Sequence, residues 1–239
     1  MPELPAPLPP GERTVGQLIA ETIRAYGKHF WRALALGIPL AVADQLSIGQ
    51  APLAQMAVFL ILLPLFVGAY IYACRLLLDA RPTVVAAAVG ALIWLPFPTL
   101  RAIYILPGLA WLALVGLGVP AAMVERLRFR PALIRGRELG VADYIHALGS
   151  LAALVIVVGV AETTLSALLH TQSDTDARVA VFLSDLVLSP LLFLGGAMLY
   201  VDQAARVGLQ ATRRRSRDAD LHPPVDADAA GHPDPQVEP

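Results

Sequence analysis

The sequence predicts an all-α integral membrane protein, a bundle of six transmembrane helices with both termini on the cytoplasmic side, preceded by an amphipathic interfacial helix. Three observations predict it. Of 239 residues, 56% are hydrophobic and only 15% charged, with mean hydropathy +0.63, where soluble domains carry roughly 25% charged residues. Two runs, Gln45 to Cys74 and Ala102 to Met123, hold no charge at all, and each exceeds the roughly 20 residues that cross the hydrocarbon layer. Between two such apolar stretches lies Glu125 to Asp143, ERLRFRPALIRGRELGVAD, which concentrates Arg126, Arg128, Arg130, Arg135 and Arg137 as cytoplasmic loops do.

The elements follow in order. Residues 1–13 are proline-rich and lack the basic start and apolar core of a secretory signal, so they are expected to be a disordered cytoplasmic N-terminus. Thr14 and Gln17 fit a capping box. Beyond them, Val15, Leu18, Ile19, Ile23, Tyr26 and Phe30 recur at helical spacing opposite Gln17, Glu21, Arg24 and Lys28. Residues 14–30 therefore read as a helix lying along the inner membrane surface, or as a polar extension of the first span. The membrane domain, 31–205, is read as six spans at about 31–48, 53–74, 83–100, 102–124, 144–169 and 179–201. Gly49 to Pro52 separate the first two, and Asp79 to Pro82 turn the second into the third. Pro96 and Pro98 leave the third crossing fully or re-entering.

Charge placement tests this order. With the N-terminus inside, the inner segments hold Arg13, Arg24, Lys28 and Arg32, then Arg75 and Arg81, then the five loop arginines, then Arg206, Arg213, Arg214, Arg215 and Arg217; the outer segments hold only Arg101 and Arg178. That alternation is the positive-inside pattern of a multi-pass protein of the plasma membrane. Residues 206–239 end in DADLHPPVDADAAGHPDPQVEP, which has little apolar mass to bury and is expected to be a disordered cytoplasmic tail. Its arginine cluster, with no interleaved aromatics, points to anionic lipid and not to nucleic acid.

Three stretches, VERLRFRPALIRGRELGVADYIHALGSL, LLFLGGAMLYVDQAAR and TVGQLIAETIRAYGKHFW, resemble the bacterial polytopic proteins related to the membrane domain of glycerophosphoryl diester phosphodiesterases. In that family the membrane domain is fused to a soluble catalytic barrel or stands alone. No soluble segment here would hold the barrel, so the resemblance implies a membrane module without phosphodiesterase chemistry.

Within the apolar segments lie Asp44, Glu162 and Asp185. An intramembrane carboxylate is costly unless it faces water or a partner. Read as a group near the outer ends, with His170, Asp174, Asp176 and Arg178 nearby, they are candidates for an outward polar cavity; read singly, each bonds a neighbour. Prolines interrupt five of the six spans, at Pro39, Pro64, Pro96, Pro107 and Pro120, and Pro190. Gly149 with Ala153, and Gly159 with Thr163, give small-x-x-x-small spacing for close packing. Glu125 and Asp202 each follow an apolar run and are placed to pair with loop arginines or Arg206. No protease, hydrolase, nucleotide or dinucleotide fingerprint occurs, and Cys74 stands alone. No cofactor, metal site or catalytic residue is expected. The sequence thus favours a non-enzymatic membrane module whose loop arginines meet anionic lipid or a membrane-protein partner, with a small homo-oligomeric transporter or channel using the acids as the alternative.

Overall fold

The structure, a computed structural model, describes residues 8–103, 105–169 and 174–221. Among them every regular element is helical: α1 Val15–Lys28, α2 Phe30–Ala33, a 3-10 turn Leu34–Gly37, α3 Ile38–Ser47, α4 Pro52–Ile61, α5 Leu63–Leu78, α6 Val84–Trp94, α7 Phe97–Ile103, α8 Ile105–Val115, α9 Gly118–Val124, α10 Phe129–Ala142, α11 Tyr144–Leu169, α12 Asp174–Leu188 and α13 Pro190–Leu221.

Proline decides where these helices begin. Pro39 is the second residue of α3, Pro52 the first of α4, Pro64 the second of α5, Pro120 the third of α9 and Pro190 the first of α13. A helix leaves its first N–H groups unpaired, so a residue without an N–H and with φ already fixed costs nothing there. The residues that interrupt each hydrophobic run therefore restart a helix in it. Only 144–169 lacks proline, and it alone forms one unbroken helix, α11.

This restart rule alters the expected spans. Three stretches are long and apolar enough to cross a membrane, Ile105–Val124, Tyr144–Leu165 and Arg178–Thr212; α4 and α5, bent by 52° at their junction, make a fourth if taken together. The hydrophobic run at 31–48 is divided among α2, the 3-10 turn and α3, and the run at 83–100 stays shorter than a span. The apolar helices suit a membrane protein, and their outer faces carry large side chains. α11 exposes Ile145, Ile156, Val160 and Leu168.

The segments that flank the apolar runs follow expectation in part. Helix α1 carries the expected capping box, with Gln17 N–H donating to Thr14 Oγ1 and Thr14 N–H to Gln17 Oε1. Its face is not given wholly to lipid, because α1 packs on α11 and α13. Leu18 and Thr22 are fully buried, and the Tyr26 hydroxyl donates to the Val187 carbonyl at 2.8 Å. The part of the predicted disordered N-terminus from Leu8 to Arg13 is held against α13, where Gly11 donates its N–H to Asp202. The predicted tail is helical from 206 to 221, since Ala204 and Val207 continue the packed face of α13. Residues 1–7, 170–173 and 222–239, including His170, lie outside the described residues.

Most of the predicted central loop is α10, seated by small residues. Ala132, Gly136 and Gly140 are buried at four-residue spacing. A Cβ on Gly136 would lie 2.4 Å from Gly118 N, and one on Gly140 would lie 2.3 Å from the Leu114 carbonyl oxygen. Backbone thus meets backbone where α8 breaks into α9. The spacing noted on α11 behaves differently, as a Cβ on Gly149 would touch Val15 at 3.8 Å and one on Gly159 would meet nothing within 4 Å. The larger core gathers aromatic rings of several helices: Phe66 stacks on Phe59 and Trp94, both at 5.5 Å between ring centroids, and Trp94 lies 6.1 Å from Phe193.

Candidate functional site

Two ion-pair clusters gather the chain at the end where the arginines lie. The first is built on Asp202, which is fully buried in α13. Its Oδ1 accepts the Gly11 N–H at 2.9 Å, and its Oδ2 accepts from Arg206 Nε at 2.8 Å one helical turn on. His146 Nε2 stands 3.1 Å from the same Oδ2. Arg206 also gives Nη1 to Asp143 Oδ2 at 2.8 Å and Nη2 to the Arg13 carbonyl at 2.7 Å. Asp143 in turn accepts the His146 N–H at the start of α11. A buried carboxylate is tolerable only when its lone pairs are met, and here a planar guanidinium with several fixed donors joins it to three chain segments.

The second cluster is centred on Glu125, just after α9. Arg135 Nε reaches both carboxylate oxygens, at 3.1 and 3.2 Å, and the Tyr200 hydroxyl donates to Oε1 at 3.1 Å. Arg135 Nη1 also meets Glu138 at 3.4 Å. Partial burial works against the charge on Arg135, but the hydrogen bonds and negative charge of Glu125 and Glu138 outweigh it and raise its pKa above the usual value. Arg135 is therefore a fastener between α9, α10 and α13. Arg126, Arg128, Arg130 and Arg137 are exposed, and among the described residues they make no ion pair. The five loop arginines thus divide into one that holds the fold and four that present charge.

The three acids expected to lie within the membrane are not drawn into either cluster. Asp185 is buried on α12, Asp44 lies half-buried on α3, and Glu162 lies half-buried on α11. Helices α3 and α12 pack closely, antiparallel in sense, because Gly37 abuts Leu186 while Gln45 Nε2 donates to the Arg178 carbonyl at 2.9 Å. In that register Asp185 is level with Ile38 and Asp44 with Val179, about 9 Å apart along the axis at 1.5 Å per residue. Among the described residues no group of three or more His, Cys, Asp or Glu side chains is arranged to hold a metal ion.

Sequence reasoning placed Glu125 and Asp202 to pair with loop arginines or Arg206 without saying which meets which, and it did not reach His146, Asp143 or Gly11. Asp143 had a visible signal, an Asp three residues before the N–H it caps. Gly11 and Arg13 contribute backbone atoms, which leave no trace in residue type. Comparison of the chain with models of known protein families, with curated proteins and with solved structures finds no match.

Proposed function

We propose that the protein is a non-enzymatic membrane module of the plasma membrane, passing through it six times with both termini in the cytoplasm, whose basic end holds anionic lipid or a membrane-protein partner. A stand-alone module is also what the family resemblance implies. One observation carries the reading. At the arginine-bearing end the carboxylates Glu125, Asp143 and Asp202 are engaged internally by Arg135 and Arg206, which leaves Arg126, Arg128, Arg130 and Arg137 as uncompensated positive charge. Each such charge near an anionic surface contributes about 1 kcal/mol. In this topology the first and third hydrophobic runs cross as broken helices.

The test is native mass spectrometry of the full chain in nanodiscs made from equal parts of zwitterionic and anionic phospholipid. The expected result is retained lipid enriched in the anionic species, or a stoichiometric protein partner when the nanodiscs are formed directly from the native membrane. Retained lipid in the bulk ratio, with no partner, would overturn the proposal.

A further inference from the structure

We propose that Arg81, Arg126 and Arg128 form a discrete site for a phosphate group. The inference rests on the basic end being an anion-meeting face and deepens it to one pocket. The turn between α5 and α6 and the connection from α9 to α10 face each other across a space of about 440 Å³. Arg81, Thr83 and Val85 line one side, and Met123, Arg126 and Arg128 the other; no carboxylate lines it. Among the described residues none of the three arginine side chains makes an ion pair or hydrogen bond. Three arginines line one space, and guanidinium forks with no acceptor of their own match the several oxygens of a phosphate far better than a single carboxylate.

The backbone adds an independent argument. Arg126 has φ of 51°, just past the end of α9, where glycine is the usual residue because a Cβ is disfavoured there by roughly 1–2 kcal/mol. Retaining arginine at that point costs stability and places its side chain on the pocket wall. At the opposite wall α6 begins, with Thr83 Oγ1 accepting the Ala86 N–H at 3.1 Å. The positive end of that helix favours an anion in the same place. Met123, Val85 and Leu127 make the rest of the wall apolar, which suits a phosphate borne on a lipid as well as a free one.

The experiment uses the full chain in nanodiscs and two variants that remove equal charge, R81Q/R128Q inside the pocket and K28Q/R32Q, two exposed cations outside both the pocket and the α10 face. Native mass spectrometry counts phosphatidate retained from a phosphatidylcholine background, and thermal unfolding in phosphatidylcholine alone is followed with inorganic phosphate against chloride of equal ionic strength. The pocket pair is expected to lose at least about tenfold in affinity, the outer pair no more than about twofold. Phosphatidate retention without a phosphate effect identifies a lipid headgroup as the source, and a phosphate-induced rise in melting temperature identifies a free phosphate; either supports the site. Equal losses in the two pairs would overturn the pocket and leave the broad basic face standing. Absence of anion preference in the unaltered protein would overturn both. R126G guards against misfolding, since relief of the backbone conformation should keep or raise the melting temperature while affinity falls. Unchanged affinity in R126G and R81Q/R128Q would also overturn the site.

Discussion

Asp202→Ala is expected to destabilise the protein by about 3 kcal/mol, the cost of leaving the buried donors around it without their charged acceptor. The mutation leaves Arg206 with Asp143 as its one carboxylate partner and removes the acceptor of the Gly11 N–H, so the effect extends beyond α13 to the N-terminal segment and to the start of α11. Asp202→Asn should fall between the two, because its carbonyl still accepts from one donor while the charge is gone. Gly11→Ala should reproduce only the loss of the N-terminal attachment. Its φ is 93°, and a Cβ would lie 3.0 Å from Leu209 Cδ1 and 3.2 Å from the Ala205 backbone. Thermal unfolding in detergent gives the order, and limited proteolysis before Thr14 reports the attachment directly. An alanine variant at 202 as stable as the unaltered protein would contradict the part assigned to this cluster.

Gly136→Ala and Gly140→Ala are expected to be nearly as damaging. In an exposed helix, alanine in place of glycine stabilises by about 1 kcal/mol. Here the added methyl group meets backbone at 2.4 and 2.3 Å, and backbone cannot rotate aside as a side chain would. Moving α10 off α8 and α9 costs the roughly 1–3 kcal/mol of an overpacked core, and more if the Glu125–Arg135 contact opens with it. Gly159→Ala is the internal control. Nothing lies within 4 Å of its Cβ position, so the same chemical change should be neutral or mildly stabilising. Melting temperatures of the three variants decide; a uniform response would mean that close approach of α10 is not what these glycines provide.

These residues also show how far the sequence was readable. Hydrophobic runs and charge placement made the helical membrane class and the basic end legible, because both are properties of composition along the chain. The division of the runs into shorter helices was legible in part. The prolines were visible, but whether a proline kinks a helix or starts a new one depends on whether the preceding residues still find partners. At 34–37 the chain tightens into a 3-10 turn, and at 116–117 it breaks beside Gly136 and Gly140. Gly136 and Gly140 on α10 show the same small-residue spacing of four as Gly149 with Ala153 on α11, yet only the α10 set is pressed against backbone. Spacing says which residues share a face, and only the fold says what that face meets.

Of the candidate site, pairings with at least one partner in a conspicuous charge pattern were open to inference, as with Asp202 and Arg206 four residues apart. The pocket of Arg81, Arg126 and Arg128 was not. Its two walls come from separate parts of the chain, Arg81 to Val85 and Met123 to Arg128, and meet because α5 and α6 pack on α9. The acids Asp44 and Asp185 share one helix interface, but at levels separated by about two turns, which periodicity within a single helix cannot reveal.

The claim on which the account depends is that the arginine-bearing end faces the cytoplasm. Labelling of two cysteine variants with a membrane-impermeant maleimide in sealed right-side-out vesicles tests it most directly, since the native Cys74 is buried and gives little background. Gln50→Cys, exposed between α3 and α4, and Arg130→Cys, exposed on α10, are placed by the account on opposite sides. Q50C should label in intact vesicles and R130C only after permeabilisation. Labelling of R130C in intact vesicles, or of both positions from one side, would contradict it.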